Sequence, residues 1–242
     1  MIQFQIIIGC LLLFISCSET PKTDTIPAQG KDFCESIHNS DSTTLTSELA
    51  LVKDSLSKKT GVFVLEHGDE SMITRAWLSE HAEKTIDVQY FIFSTDNVGL
   101  IACDYLVRAA DKGTKVRILV DDIMVDAGAH DILTMDSHEN IEIKIYNPNM
   151  NLGKSIFQKL KQLNSDFIGA NQRMHNKTFT VDGKVAITGG RNIADEYFDY
   201  DHEYNFRDRD VLLLGKTVNT IQQSFNQKNS SRLCLGVGGG SK

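Results

Sequence analysis

Residues 85–120 read TIDVQYFIFSTDNVGLIACDYLVRAADKGTKVRILV, and this stretch decides the fold. Residues 85–93 and 115–120 are rich in β-branched and aromatic side chains, which favours strands. Between them, Asp96 can cap a helix that Gly113 ends. A helix that joins two strands indicates that the strands run parallel, so the stretch predicts an α/β fold. The expected buried stripe of this helix consists of Leu100, Ile101, Cys103, Leu106, Val107 and Ala110.

Strand-like and helix-like segments alternate on both sides of this unit. We expect strands at 62–65, 141–146 and 211–214, helices at 70–84, 129–136 and 217–227, and a hairpin near residue 182. The whole predicts a mixed, largely parallel β-sheet flanked by helices over residues 46–228. Residues 147–172 form a long loop of the kind that is usually functional or disordered. Residues 229–242 show no packing pattern and are predicted to form a disordered tail.

The first 17 residues have the features of an export segment. An apolar run of about ten residues is too short to span a bilayer comfortably and has the length of a signal-peptide core. It ends in Phe14-Ile15-Ser16-Cys17, a loose lipobox, so we expect cleavage before Cys17 and a lipid on that cysteine. A plain signal peptide and an uncleaved anchor remain alternatives. Residues 18–45 are polar and are interpreted as a linker, which predicts a membrane-associated protein of the cell envelope.

The acidic composition limits the classes of partner. The formal net charge is −7, which argues against a broad nucleic-acid surface but allows a small basic pocket for one phosphate. The five cysteines show no CxxC or Cys/His spacing, so no metal site, cofactor or disulfide framework is predicted.

Residues 174–192, MHNKTFTVDGKVAITGGRN, contain the candidate site. Asp182-Gly183 between two alternating runs predicts a tight hairpin. His175 and Lys177 lie two positions apart in the first strand, so both should project from one face. An imidazole can act as a nucleophile, and an ammonium beside it can hold an anion in place.

Further polar groups flank the hairpin. Arg173 and Arg191 carry guanidinium groups that suit phosphate oxygens, and Asn192 brings an amide donor. Gly189-Gly190 permits close backbone approach. Each residue also has a structural interpretation: a satisfied core histidine, a solvated lysine, a turn aspartate and a glycine pair that ends a strand. Together, the residues predict a site at which a histidine attacks phosphorus.

This grouping resembles the phospholipase D superfamily. His175, Lys177 and Asp182 match the signature HxKxxxxD, and the Gly-Gly-x-Asn segment that ends at Asn192 matches its companion motif. The surrounding sequence resembles bacterial cardiolipin synthases of the C-type class over about residues 60–227. The similar segments are SEHAEKTIDVQYFIFSTDNVGLIACDYLVRAADKGTKVRILVDD upstream and RDRDVLLLGKTVNTIQQSF downstream.

The resemblance implies a role for each matched residue. His175 would form a covalent phosphohistidine, Lys177 and Asn192 would hold the phosphate, and Asp182 would orient the site or support the hairpin. The phosphatidyl group would then pass to water or to an alcohol, and an alcohol on a second phospholipid would yield cardiolipin. The implied partners are a phospholipid substrate and a membrane, with no metal and no nucleic acid.

The family carries two such motifs per chain, whereas here only His175 is followed by lysine at the second position. Three interpretations follow from the resemblance. The chain is the N-terminal half of a two-motif enzyme, or a single-motif phosphodiesterase or nuclease that completes its site in a homodimer, or a non-catalytic lipid- or phosphate-binding remnant.

Overall fold

The computed structural model describes residues 44–121, 129–148 and 173–237. Within these ranges, eight strands form one sheet with helices against both faces. The helices are α1 Leu45–Leu49, α2 Lys53–Leu56, α3 Gly68–Glu80, α4 Asn97–Asp111, α5 Ala129–Asp136 and α6 Lys216–Asn229. The strands are β1 Thr60–Leu65, β2 Thr85–Tyr90, β3 Lys115–Asp121, β4 Ile141–Tyr146, β5 Thr178–Val181, β6 Val185–Gly189, β7 Asp210–Gly215 and β8 Cys234–Gly236. Short 3-10 turns occupy Ala50–Val52 and Asp195–Tyr197.

The strand order is β1-β7-β6-β5-β2-β3-β4-β8. The predicted mixed α/β sheet is confirmed, but it is not largely parallel. Among the described strands, β2 pairs parallel with β3 and β3 with β4, and the other neighbouring strands are antiparallel. The connections explain these pairings, because α4 and α5 cross over between the neighbouring strands β2, β3 and β4, whereas the tight β5–β6 hairpin reverses the chain directly.

The two faces of the central strand β2 pack against different helices. Tyr90 lies with the apolar cluster that includes residues of α3 and α4, and Phe179 of β5 packs its ring edge against Tyr105 of α4 at 6.2 Å. On the other face, Phe225 of α6 is buried with Leu119 of β3. The sheet is therefore covered on both faces at its centre, which leaves the ends of the strands as the place for the polar groups of a site.

The α4 helix begins as predicted but turns a different face to the core. The Asp96 carboxylate accepts a hydrogen bond from the backbone N–H of Gly99 at 2.9 Å, which confirms the cap. Leu100 and Ile101, which were predicted to be buried, are 59% and 47% exposed. Leu106 and Ala110 are buried as predicted, and the other buried residues of the helix are Val98, Gly99, Ala102, Tyr105 and Ala109. Contact with the sheet decides which face of the helix is buried. The sequence of a helix with two apolar faces does not show which of them that is.

The C-terminal segment is ordered beyond the predicted boundary at residue 229. Residues Cys234–Gly236 form β8 and pair antiparallel with β4, so the disordered tail predicted over 229–242 is wrong for these residues. A strand this short is stabilised by backbone hydrogen bonds to a sheet edge and needs no side-chain periodicity. Residues 238–242 lie outside the described part.

Several predictions concern residues outside the described part of the chain. They are the export segment with Cys17, the linker as far as residue 43, and residues 149–172 of the long loop. Leu45, which the sequence assigned to the linker, is 1% exposed and belongs to the core. No helix among the described residues has the length and apolar character needed to cross a membrane.

Candidate active site

His175 and Lys177 lie just before β5 rather than inside it, because the strand begins at Thr178. The chain is nevertheless alternating here. Met174 is buried against Leu119 and Phe225, beneath α6, whereas His175 and Lys177 both contact another aromatic ring, that of Phe91. The prediction that His175 and Lys177 project from the same side of the chain is therefore confirmed. The Lys177 Nζ lies 3.3 Å from His175 Nδ1 and 3.2 Å from the His175 carbonyl oxygen.

The electrostatic environment favours a neutral imidazole. Partial burial lowers the pKa of His175, the Lys177 ammonium lowers it further, and Asp121 opposes both. Because an ammonium can only donate, the contact with Nδ1 requires this nitrogen to accept. Burial also lowers the pKa of Lys177, and the Asp208 carboxylate opposes that change. A neutral imidazole beside a cation can attack an anionic phosphodiester, as the sequence predicted.

Asp121 holds the chain as it enters the site. It is fully buried at the end of β3, and its carboxylate accepts from the Met174 backbone N–H at 2.8 Å. The Arg173 guanidinium donates to the same carboxylate at 3.2 Å. The buried Arg173 Nε has no hydrogen-bond partner among the described residues. Arg173, predicted to bind phosphate, is thus anchored through Nη1, while its Nε donor is left without a partner in the part of the chain that the structure describes.

Asn192 is 2% exposed and connects the hairpin exit to the end of β2. Its Oδ1 accepts from the backbone N–H of Ile92 at 3.0 Å, and its side chain also hydrogen-bonds the Tyr197 hydroxyl. Asn192 therefore fixes the backbone next to Phe91, the residue that contacts His175. Its predicted contact with phosphate stays a prediction.

Arg191 is engaged inside the protein. Its guanidinium donates to the carbonyl oxygens of Leu65, Glu66 and Tyr197 at 3.1, 2.7 and 3.2 Å, and lies 3.8 Å from the Asp210 carboxylate. The side chain is 4% exposed. This geometry gives Arg191 a structural role that ties β1 to the hairpin exit. It does not favour the phosphate-binding role that the sequence suggested.

The Asp210 carboxylate is the centre of a buried polar network. Arg75 of α3 donates to it at 2.8 Å, and both side chains are 1% exposed. Ser71 donates to the same oxygen at 2.6 Å, and Arg75 also donates to the Tyr90 hydroxyl at 3.0 Å. The network joins α3, β2 and β7 through buried side chains.

Asp182 lies at the far end of the hairpin from His175. The extended chain between the two spans about 20 Å. Its Oδ1 accepts from the backbone N–H groups of Lys84 and Thr85 at 2.7 and 2.9 Å, and its Oδ2 accepts from that of Glu83 at 2.9 Å. This arrangement favours the role of support for the hairpin over a role at the reacting atoms.

The hairpin turn has the predicted chemistry. Asp182 and Gly183 both have positive φ, at 53° and 64°, and the turn is closed by Lys184 N–H donating to the Val181 carbonyl at 2.9 Å. These are features of a type I′ turn, in which aspartate and glycine are favoured.

The glycine pair admits the neighbouring strand rather than a ligand. A Cβ on Gly189 would lie 2.2 Å from the Asp210 Oδ1, and a Cβ on Gly190 would lie 2.4 Å from the Asp208 Oδ1. Any larger residue would push β7 away. The predicted close approach is thus confirmed, and it brings the Asp208 carboxylate to the rim of the site.

Three residues of the site were not predicted. Phe91 contacts His175 and Lys177, Asp121 supports the entering chain, and Asp208 acts on the charge of Lys177. Asp121 could have been found, since a carboxylate at the carboxyl end of a buried parallel strand is a common site position. Phe91 and Asp208 carry no local signal, because their partners are far away in sequence. Within the described ranges, no group of three or more His, Cys, Asp or Glu residues could hold a metal ion.

The comparisons with known proteins agree with this geometry. A family model described as "Cardiolipin synthase, PLD-like domain" matches residues 78–228. Cardiolipin synthase C of Escherichia coli K12 is 42% identical over 168 residues, which is 68% of this chain and 34% of the relative. The chain thus spans about a third of the length of the curated relatives it matches.

Solved structures share the fold. Nuc, a phospholipase D family member of Salmonella typhimurium, superposes with a TM-score of 0.52 at 13% identity, covering 74% of this chain and 98% of Nuc. Phosphatidylserine synthase of Haemophilus influenzae superposes with a TM-score of 0.53 at 13% identity, covering 81% of this chain and 44% of that one. On the family match and the identity to cardiolipin synthase C, the chain belongs to the PLD-like cardiolipin synthase family of the phospholipase D superfamily.

Proposed function

We propose that this chain supplies the nucleophilic half of a phosphatidyltransferase that acts on phospholipid phosphodiesters through a covalent phosphohistidine. The observation that carries the proposal is the His175–Lys177 pair, in which burial and the ammonium lower the pKa of the imidazole. A neutral imidazole has a lone pair at neutral pH, and the ammonium supplies the charge that an anionic substrate needs.

The first step forms a nitrogen–phosphorus bond and breaks a phosphorus–oxygen bond. A bound phosphodiester draws the Lys177 Nζ to its non-bridging oxygens and so releases His175 Nδ1. The proton of the neutral imidazole can then reside on Nδ1, and the lone pair of the other nitrogen attacks phosphorus. The leaving alkoxide takes a proton from a general acid. In the second step, water or an alcohol attacks phosphorus, the N–P bond breaks, and the attacking oxygen gives its proton to the conjugate base of that general acid.

The orphaned Nε of Arg173 supports a phosphate subsite beside this pair. A buried guanidinium donor without a partner among the described residues is costly unless a ligand or solvent satisfies it. Arg173 lies two residues before His175, on the same side of an alternating chain. A non-bridging oxygen is an acceptor of the appropriate charge.

The resemblance assigns the role of general acid to the histidine of a second motif. In the sequence, no other histidine is followed by lysine at the second position. Two sources fit: a second half with its own motif, or a second copy of this chain whose His175 faces the first across a two-fold axis. The second arrangement describes a homodimeric phosphodiesterase or nuclease, and the net charge of −7 favours a lipid over a polyanionic nucleic acid.

A substrate with a good leaving group tests the nucleophile without the acid. Bis(4-nitrophenyl) phosphate releases nitrophenolate, which leaves without being protonated. We expect the full chain to release a burst of one nitrophenolate per His175 and to retain the phosphoryl group as an acid-labile, alkali-stable adduct. The adduct should form in the presence of EDTA. His175→Ala should abolish it, and His67→Ala, at an exposed histidine that makes no side-chain cap bond, should not.

An equal burst in His175→Ala, or loss of the burst with EDTA, would contradict the mechanism. The lipid substrate is tested separately with vesicles of phosphatidylglycerol, in which we expect transfer of phosphatidyl groups to a lipid alcohol. Light scattering during turnover distinguishes the two sources of acid. A homodimer predicts that activity falls on dilution as the dimer dissociates.

We also propose that the chain is held at the cell envelope through a lipid on Cys17. The support is the apolar segment and lipobox of the sequence, and a membrane location would place the site near its lipid substrate. Cys17→Ser should move the protein from the membrane fraction to the soluble fraction. Unchanged fractionation of Cys17→Ser would contradict lipid attachment at this residue.

A further inference from the structure

Phe91 lies where the chain leaves β2, and its ring touches both reacting side chains. The ring centroid is 4.8 Å from that of the His175 imidazole, with a tilt of 42°. The Lys177 Nζ lies 5.6 Å from the same centroid, over the ring. The neighbouring aromatic residue Phe93 packs instead against Tyr90, with ring centroids 6.5 Å apart. Phe91 therefore has contacts that its aromatic neighbour does not share.

We propose that Phe91 is a positioning residue that orients the His175 imidazole and the Lys177 ammonium for attack on phosphorus. The inference rests on the proposed function and adds a residue to its site. It is carried by the simultaneous contact of one ring with both groups.

The position of the Phe91 ring is itself well determined. The Asn192 Oδ1 accepts from the N–H of Ile92, the next residue, at 3.0 Å. The ring also packs against a small apolar cluster formed by Ile92 and Ala194. The backbone that carries Phe91 is thus fixed by a buried hydrogen bond, and the contact of its ring with the imidazole restricts the orientation of His175.

The ring is needed because the polar contacts of the pair are weak restraints. His175 is only partly buried, and the hydrogen bonds that Lys177 donates to it are 3.2 and 3.3 Å long, at the long end of the normal range. Cations are attracted to the face of an aromatic ring, so Phe91 restrains the Lys177 ammonium where a short aliphatic side chain would not. Packing against the imidazole limits its rotation.

The test compares three variants in the burst reaction with bis(4-nitrophenyl) phosphate. Phe91→Leu removes the ring, Phe91→Tyr retains it, and Phe93→Leu removes a ring of the same loop that does not touch the pair. A small displacement of reacting groups can cost about 100-fold in rate. We expect a loss of about that size in the burst rate of Phe91→Leu, with much less change in the substrate concentration that gives the half-maximal burst rate, and burst rates close to the original in the other two variants.

A second readout does not depend on turnover. NMR titration of the His175 imidazole should show a pKa that moves up toward its ordinary value in Phe91→Leu, since water reaches the ring, and no such change in Phe93→Leu. The charged groups that act on His175, Lys177 and Asp121, are present in every variant. If the unsubstituted chain gives no burst, the proposed function fails, but the titration still tests the contact.

Phe91→Leu with the original burst rate and an unchanged His175 titration would overturn the inference. If Phe91→Leu does not fold, Phe91→Met provides the same comparison, because methionine fills the volume without a ring. Equal losses of rate in Phe91→Leu and Phe93→Leu would also overturn it, since they would reflect a general disturbance of the loop.

Discussion

The signature aspartate can be tested as a structural anchor. Asp182 belongs to HxKxxxxD, yet its carboxylate accepts three backbone N–H groups, from Glu83, Lys84 and Thr85, at 2.9, 2.7 and 2.9 Å. We therefore expect substitution of Asp182 to lower the free energy of unfolding and to leave the chemistry of His175 intact. The reason is that the anchored segment is the start of β2, the strand that β5 pairs with.

The magnitude follows from the three bonds and the turn. Hydrogen bonds to a charged acceptor contribute about 1.5–3 kcal/mol each when sheltered, and about 1 kcal/mol is appropriate here because water can replace them at a partly exposed site. Asp182→Ala loses all three, about 3 kcal/mol. It also places alanine at a φ of 53°, which costs about 1 kcal/mol more. Asp182→Asn keeps one carbonyl oxygen and tolerates the positive φ, so it should cost about 1–2 kcal/mol.

The measurement is urea unfolding of the full chain followed by circular dichroism. The free energies of unfolding should rank the original chain above Asp182→Asn, and Asp182→Asn above Asp182→Ala. Under conditions in which the variants remain folded, both should form the His175 adduct in the burst assay. Unchanged unfolding midpoints together with loss of the adduct would refute the anchoring role, and would place Asp182 among the residues that act on the reacting atoms.

Three further substitutions test the network and the charges. Arg75→Met should lower the free energy of unfolding by about 3–5 kcal/mol, because it leaves the Asp210 carboxylate buried without its main partner; a stability equal to that of the original chain would contradict this. Asp121→Asn should lower the pKa of His175 in an NMR titration, since the carboxylate raises it, and a rise would show that Asp121 acts otherwise. Hydrogen bonds from lysine and threonine side chains lower the pKa of Glu83 from 4.5 to about 2, so its contribution to folding is present above pH 4.5 and is lost as the pH falls toward 2. The stability of Glu83→Gln should therefore fall less than that of the original chain between pH 4.5 and 2. The same dependence of stability on pH in both proteins would count against this contribution of Glu83.

Much of the fold could be predicted because local patterns agree with it. Asp96 caps α4, Asp182-Gly183 makes the turn, and both depend on the chemistry of neighbouring residues. The exposure of Leu100 and Ile101 and the existence of β8 could not be predicted in this way. Both depend on the part of the sheet against which α4 or β8 packs, and that part is formed by residues distant in the sequence.

The candidate site divides in the same manner. Spacing alone placed His175 and Lys177 on one side of the chain, since an extended backbone alternates. Spacing could not distinguish Arg173 from Arg191, although both precede a motif residue. The structure leaves a donor of Arg173 without a partner among the described residues and engages Arg191 with three carbonyl oxygens.

By itself, the sequence determined the alternation of strands and helices, the type of turn and the pairing of an imidazole with an ammonium, because each depends on residues close together in the chain. Only the tertiary structure decided that Phe91 contacts His175, that Asp121 acts on the pKa of His175, and that Asp182 anchors β2. These contacts join segments that the sheet brings together through the strand order β5-β2-β3. The physical reason is that burial, charge and hydrogen bonding act through space, and distance along the chain does not encode them.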